Sequence, residues 1–129
     1  MVINNGKNPP HLIIGVVGVC GAGKTTLING LKRHGFEVHH IAQEHSYVAR
    51  MWQLITNPDI LIFLDASYPE TIKRRKLNWT MEEYQEQHRR LAHARENCQL
   101  YILTDLLTPN EVVNQVLDFL KREEFHPPE

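Results

Sequence analysis

The sequence has little cysteine, no large excess of charge and no long apolar run. Two cysteines, Cys20 and Cys98, exclude a framework of several disulfides and predict free thiols in a reducing cytoplasm. A net charge of −1 argues against a general nucleic-acid binder, which would carry a basic surface. The longest apolar stretch, from Leu12 to Cys20, contains two glycines and is too short to span a bilayer, so no membrane partner is expected.

Several other patterns are also missing. The sequence contains no internal repeat and no low-complexity tract, and 129 residues are expected to form a single domain. Residues 1–10 lack the pattern of a signal peptide and are expected to be a flexible leader, whereas residues 123–129 are expected to be a tail. Five of the histidines invite a metal interpretation, but their spacing matches no compact zinc pattern: His39, His40, His45, His88 and His93.

A glycine-rich motif follows the first apolar run. Residues 18–25 match G-x-x-x-x-G-K-[ST], the phosphate-binding loop or P-loop. Its glycines let backbone N–H groups point at a phosphate chain, Lys24 is expected to contact the β- and γ-phosphates, and the Thr25 hydroxyl is expected to bind Mg²⁺. A turn without a ligand explains the glycines but not the Lys-Thr pair. The motif therefore predicts binding of ATP or another nucleoside triphosphate by Gly18, Gly21, Ala22, Gly23, Lys24, Thr25 and Thr26.

Alternating apolar runs and amphipathic stretches predict an α/β protein. Strands are expected at residues 11–17, 36–42, 60–64 and 99–103, and helices at about 24–34, 47–56, 68–77, 81–97 and 109–122. The helix over 47–56 has an apolar stripe, whereas the helix over 81–97 has few apolar residues and is expected to be largely exposed. This alternation implies a three-layer α/β/α sandwich with a mainly parallel sheet of four or five strands, the second of them nearer an edge.

Three capping boxes mark the starts of the last three helices. Each pairs Ser or Thr with Glu three residues later, at residues 67–70, 80–83 and 108–111.

Ligands bind such sheets at the carboxyl ends of the strands, so the residues there are candidates for chemistry. Asp65 follows five apolar strand residues, as in a Walker-B pattern, and either supports the Mg²⁺ bound by Thr25 or only caps the next turn. Glu44 faces the γ-phosphate if the second strand neighbours the first. It is then a general base or a water-mediated metal ligand, and otherwise a surface or helix-capping carboxylate. His45 either binds substrate or has no role.

The segment 73–97 is basic. Between Lys73 and Arg95, seven basic residues stand against three acidic ones. One interpretation is a lid whose arginines clamp phosphoryl oxygens, with Arg75, Arg89 and Arg95 as the first candidates. The other is a solvated helix face on which Glu86 and Arg90 form an ordinary i,i+4 pair.

Together these pieces resemble the nucleoside and nucleotide kinases of the P-loop superfamily, the adenylate-kinase-like proteins. The resemblance rests on residues 18–25, on residues 58–65 leading into an arginine-containing helix, and on residues 94–105 leading into the last helix. It implies a lid after residue 65 and an adenine-contacting loop at residues 104–107, which places Thr104 and Asp105 near the base. Such kinases usually carry a substrate-binding insertion and a further strand, often with an Asp-Arg pair. Here only residues 35–58 fill that interval, without such a pair.

Two functions follow as hypotheses. The first is a small Mg²⁺-dependent kinase that transfers the γ-phosphoryl group of ATP to an unidentified small-molecule hydroxyl or phosphate acceptor. The second is a nucleotide-binding or slowly hydrolysing module whose lid reports the nucleotide state to a protein partner. A guanine-specific switch is disfavoured because Asn-Lys-x-Asp is absent.

The chain is expected to be a monomer or a homodimer. The expected catalytic residues are Lys24, Glu44, Asp65, Arg75, Arg89 and Arg95, with Thr25 and Asp65 as the metal ligands.

Overall fold

A computed structural model describes residues 11–75 and 78–127 of the chain, apart from the side chain of Arg75. The predicted leader, residues 76 and 77 of the third predicted helix, and the last two residues of the tail lie outside this part. Four strands are present within it: β1 (Ile13–Gly18), β2 (Glu37–His40), β3 (Ile60–Asp65) and β4 (Leu100–Leu103). They form one sheet in the order β2-β1-β3-β4, and every pair is parallel. The α/β class and the parallel sheet are confirmed, with β2 at an edge.

The position of each strand in the sheet explains its composition. All six residues of β3 are buried, and so are the last five of β1, because central strands of a parallel sheet are covered on both faces. The edge strand β2 instead leaves His39 and His40 exposed. Strands β1 and β2 begin later than predicted, and β1 continues to Gly18. Strand β4 begins one residue late, at Leu100, because the side chain of Gln99 accepts a hydrogen bond from the Leu61 N–H at 2.6 Å.

The described residues form four α-helices: α1 (Lys24–Arg33), α2 (Tyr68–Arg75), α3 (Met81–Asn97) and α4 (Pro109–Arg122). Helix α1 packs against α4, whereas α3 packs against β1 and β3, an arrangement consistent with an α/β sandwich. The predicted bounds of α3 and α4 are confirmed. The capping boxes of Thr80 and Thr108 are both complete: each hydroxyl accepts from the backbone of the glutamate three residues later, whose side chain accepts in return.

The α-helix predicted over residues 47–56 is wrong for the first half of that span. Only its second half is helical, as a π-helical turn at Trp52–Thr56, and a 3₁₀ turn at Gln43–His45 precedes the span. Of the predicted stripe only Trp52 is buried, whereas Val48 and Ile55 are 54% and 75% exposed. The cause is the fully buried side chain of Gln43, which accepts from the Trp52 N–H at 2.9 Å and donates to the Val48 carbonyl at 2.8 Å. These bonds replace those of a regular helix.

The expectation that α3 has a thin apolar stripe and is otherwise largely exposed is confirmed. Gln87, Leu91 and Ala94 are buried, and Leu91 and Ala94 are fully inaccessible to solvent. Because these three residues recur at helical spacing, they form one narrow stripe along α3, and this stripe packs against β1 and β3. This helix is therefore part of the folded body, and its exposed side carries the charges.

Candidate functional site

The glycine-rich loop lies between β1 and α1, and its shape requires glycine. Gly18, Gly21 and Gly23 have φ angles of 155°, 87° and 100°, in the region that L side chains rarely adopt. A Cβ atom on Gly18 would lie 2.0 Å from the carbonyl oxygen of Leu64 in β3. The loop is thus held by close backbone packing against the neighbouring strand, and its conformation depends on the finished sheet.

Lys24 and Glu44 form a buried ion pair beside this loop. Lys24 Nζ lies 3.0 Å from Glu44 Oε2, and it donates to the carbonyl oxygens of Gly18 at 2.6 Å and Val19 at 3.1 Å. Lys24 is 8% exposed and Glu44 is 2% exposed. Because β2 pairs directly with β1, the residues that follow β2 reach the loop. The condition set for Glu44 from the sequence, that its strand neighbours the first one, is therefore met.

A polar cavity of about 330 Å³ opens at this pair. It brings a cationic amine, a carboxylate, a hydroxyl and two imidazoles onto one glycine-lined wall. We call it the polar cavity. Besides Gly21, Gly23 and Thr26 of the loop region, it is lined by Cys20, Lys24, Thr25, His40, Glu44 and His45.

A second cavity, of about 490 Å³, shares Gly21, Gly23 and Thr26 with the first. Its other walls are mostly apolar, and we call it the apolar cavity. Thr104 and Asp105, predicted to lie near a nucleotide base, both line it. Its remaining lining is Ala22, Leu27, Leu107, Pro109 and Val112, with the charged pair Glu70 and Arg74 at one side.

Arg74 connects this site to α2, and the sequence interpretation overlooked it in favour of Arg75. Its guanidinium donates to the Thr104 hydroxyl at 2.7 Å, to the Thr104 carbonyl and to the Gly21 carbonyl at 3.3 Å, and it pairs with Glu70 at 2.9 Å. The available signal was helical spacing, since Arg74 lies four residues after Glu70. The capping box predicted at residues 67–70 is only half formed, because the Glu70 carboxylate pairs with Arg74 and the Ser67 N–H donates to Asp105 instead. The side chain of Arg75 lies outside the described part.

Asp65 is engaged away from the loop. Its Oδ2 accepts from the Tyr101 hydroxyl at 2.6 Å, and its Oδ1 accepts from the Ala66 N–H at 2.9 Å and lies 3.3 Å from His88 Nε2. Burial opposes ionisation of this carboxyl, but His88 and the Tyr101 hydrogen bond outweigh burial, so the pKa of Asp65 lies below its ordinary value. Neither cavity at the loop includes Asp65 among its described lining residues.

Arg89 and Arg95 also lie apart from the loop. Arg89 pairs with Glu86, and the Arg95 guanidinium lies 4.7 Å from the centre of the Tyr101 ring. Both line a third cavity on the α3 side of β3, together with Phe63, Tyr84 and His88. The arginine of α3 that reaches the site is Arg90, which donates to the Glu44 carbonyl at 3.3 Å.

A comparison with models of known protein families found no match, and neither did a search of curated proteins. Along the described residues, no helix combines the length and the apolar character required to cross a membrane. The arrangement of the site thus carries the functional argument.

Proposed function

We propose that the chain adopts a P-loop fold, a three-layer α/β/α sandwich, and binds a Mg²⁺–nucleoside triphosphate, with ATP as the first candidate, across the loop of residues 18–25. The observation that carries this proposal is that the glycine-rich loop lines two cavities of different chemistry, one on each side of it. A nucleotide is itself polar at one end and flat and apolar at the other. Its base fits the apolar cavity, and its phosphates fit the loop and the polar cavity.

Each end of the nucleotide has residues suited to it. On binding, Lys24 would exchange the Gly18 and Val19 carbonyls for phosphate oxygens, and the N terminus of α1 would favour the negative charge. At the other end, Thr104 and Asp105 would contact the base, while Arg74 holds Thr104 in place.

The two predicted Mg²⁺ ligands differ in how well they fit. The exposed Thr25 lines the polar cavity and offers a hydroxyl oxygen, a ligand type that Mg²⁺ accepts. Asp65 would first have to leave Tyr101 and His88. When bound, the metal would neutralise charge on the phosphates, and of the two predicted ligands Thr25 is the one placed to hold it.

The reaction that we propose is transfer of the γ-phosphoryl group to a small hydroxyl or phosphate acceptor in the polar cavity. Glu44 would take the proton of an acceptor hydroxyl as the acceptor oxygen bonds to the γ-phosphorus and the bond to the β-phosphate oxygen breaks. Its Oε1 has no hydrogen-bond partner among the described residues, and because this atom is buried it would have to turn into the cavity to take that proton. The free thiols Cys20 and Cys98 support a reducing compartment, and we propose the cytoplasm.

Calorimetric titration of Mg²⁺–ATP and Mg²⁺–GTP into the wild type and Lys24→Met tests the binding proposal. A lysine–phosphate contact is worth about 1.5–3 kcal/mol, so Lys24→Met should weaken binding by roughly 10- to 150-fold. Lys32→Met, at an exposed position on the same helix, is the matched control and should bind as the wild type does. Near-ultraviolet circular dichroism confirms that each variant is folded. Wild-type affinity in a folded Lys24→Met variant would contradict the proposal.

An exposed apolar segment favours a second function, a nucleotide-binding or slowly hydrolysing module that signals to a protein partner. Tyr47, Leu54 and Ile55 follow Glu44 closely in the chain and are 87%, 73% and 75% exposed. A nucleotide that draws Lys24 away from Glu44 would act on the turn that begins this segment. Triphosphate binding that protects residues 43–56 from amide exchange, with no turnover on a panel of small acceptors, would favour the module over the kinase.

A further inference from the structure

We propose that Cys20, Glu44 and His45 form a binding site for a divalent transition metal of the zinc class. The sulfur, imidazole nitrogen and carboxylate oxygen of these residues all lie within 4.8 Å of one another. Cys20 Sγ lies 3.9 Å from His45 Nε2, which in turn lies 3.8 Å from Glu44 Oε2. Ligand bonds of about 2.0–2.3 Å in a tetrahedral site put neighbouring ligand atoms roughly 3.3–3.8 Å apart. Small side-chain movements would therefore close the cluster around one ion.

The donor set determines the class of metal. A thiolate and an imidazole select zinc-like ions over Mg²⁺ and Ca²⁺, which prefer oxygen ligands. Three protein ligands leave one position of a tetrahedral ion open. The cluster also lines the polar cavity, so an ion can reach it from solvent. This site is distinct from the proposed Mg²⁺ ligand Thr25.

A buried carboxylate oxygen provides an independent observation. Glu44 is 2% exposed, and its Oε1 has no hydrogen-bond partner among the described residues, although Oε2 pairs with Lys24 at 3.0 Å. Burying a carboxylate oxygen without a partner is costly, and a metal ligand bond is one way to satisfy it. The carboxylate atom that lies 3.8 Å from His45 Nε2 is Oε2, so the ion would take Oε2 in place of Lys24, or Oε1 would turn towards the cluster while Lys24 stays on Oε2.

The thiol is also held in place by a neighbouring helix. The side chain of Gln87 in α3 donates to Cys20 Sγ at 3.2 Å and accepts from the Cys20 N–H at 3.0 Å. The donor on the sulfur fixes the direction of the thiol side chain. Metal binding would release the thiol proton to solvent. Because Glu44 is also the base that we propose, bound zinc would block phosphoryl transfer, and this consequence alone rests on the proposed function.

Titration of the reduced full-length chain with Co²⁺, followed by absorption spectroscopy, tests the site. Co²⁺ reports its ligands directly, so the wild type should develop a thiolate-to-cobalt charge-transfer band that Zn²⁺ abolishes by displacement. Cys20→Ser should lose the band. His45→Gln should weaken Co²⁺ binding by roughly tenfold or more. Substituting a residue that only hydrogen-bonds to a ligand already lowers metal affinity by about that factor, and His45 is proposed as a ligand itself. Both variants leave the Lys24–Glu44 pair intact.

Cys98→Ser is the matched control, since Cys98 lies after α3 and its thiol donates to the Arg95 carbonyl. It should keep the band and the wild-type affinity. A wild type without a charge-transfer band, a Cys20→Ser variant that keeps it, or a band that disappears only in Cys98→Ser would each overturn the proposal. None of these readouts uses nucleotide, so the site can fail while triphosphate binding stands, and the reverse also holds.

Discussion

At the scale of single residues, the contact between Tyr101 and Asp65 links stability to pH. Burial, the hydrogen bond to Asp65 and the charge of that carboxylate raise the pKa of Tyr101 to about 12, while the pKa of Asp65 lies below its ordinary value. The raised tyrosine pKa contributes stability that is complete below about pH 10 and is lost as the pH rises towards 12. The lowered aspartate pKa contributes stability that is present above about pH 4 and is lost as the pH falls further.

We expect Tyr101→Phe to reduce both effects. At pH 7 the variant should unfold at lower urea concentration, because a hydrogen bond to a charged group contributes about 1.5–3 kcal/mol. The loss of stability between pH 10 and 12 should be smaller than in the wild type. It should not vanish, because burial also raises the pKa of Tyr84 to about 12. Urea unfolding at pH 3, 7 and 11 measures these changes.

Tyr47→Phe is the control for this prediction, because Tyr47 is 87% exposed and its stability effect should be negligible at every pH. An unchanged alkaline transition in Tyr101→Phe would show that the Tyr101 phenol does not contribute to that loss of stability.

The residue scale also separates what the sequence could predict about the site from what it could not. Lys24 belongs to a contiguous motif and is predictable from the sequence alone. The position of Glu44 beside the loop requires one further assumption, that the second strand pairs with the first, and in the structure the two strands do pair. The approach of Cys20 to His45 and the reach of Arg74 to Thr104 join elements 25 and 30 residues apart. No local sequence pattern encodes such contacts, because they depend on the register in which each strand pairs with its neighbour.

At the scale of elements, the capping box of α4 is a separable source of stability. The Thr108 hydroxyl accepts from the Glu111 N–H at 3.1 Å, and the Glu111 side chain accepts from the Thr108 N–H at 2.8 Å. We expect Thr108→Ala to lower the free energy of unfolding by about 1 kcal/mol, measured by urea denaturation. Thr108→Ser keeps the oxygen and should restore most of this loss. Equal losses in the two variants would assign the effect to the methyl group instead.

The elements whose bounds were predicted correctly are those that begin with a local sequence signal. The boxes at Thr80 and Thr108 fix the starts of α3 and α4 through bonds within four residues, so both helices could be bounded from the sequence. The prediction for residues 47–56 rested on an apolar stripe that should face the core, but of that stripe only Trp52 is buried. The bonds of Gln43 determine that segment instead, and a buried glutamine looks like any other polar residue in a sequence.

At the scale of the whole molecule, low net charge and exposed apolar side chains act together. The net charge is −1 and the isoelectric point is about 6.7, so electrostatic repulsion between copies is weakest near neutral pH. Leu54 and Ile55 lie exposed on the same turn. We expect sedimentation velocity to detect more self-association at pH 6.7 than at pH 9.

Ile55→Lys should reduce that association at pH 6.7. Leu106→Lys places the same charge at an exposed leucine elsewhere, 94% accessible after β4, and should have the smaller effect. Equal effects of the two substitutions would mean that added charge, and not the turn at residues 52–56, governs association.

The contact of Gly18 with the Leu64 carbonyl has a consequence for the order of events in folding. Strand β1 is made early in synthesis, but its partner β3 follows later in the chain, with Ile14 opposite Ile60. The glycine-rich loop of a nascent chain therefore cannot hold its shape until β3 has been made and has paired with β1. A ligand of this loop would bind only the completed sheet, and it would prolong the lifetime of the native protein more than it would hasten folding.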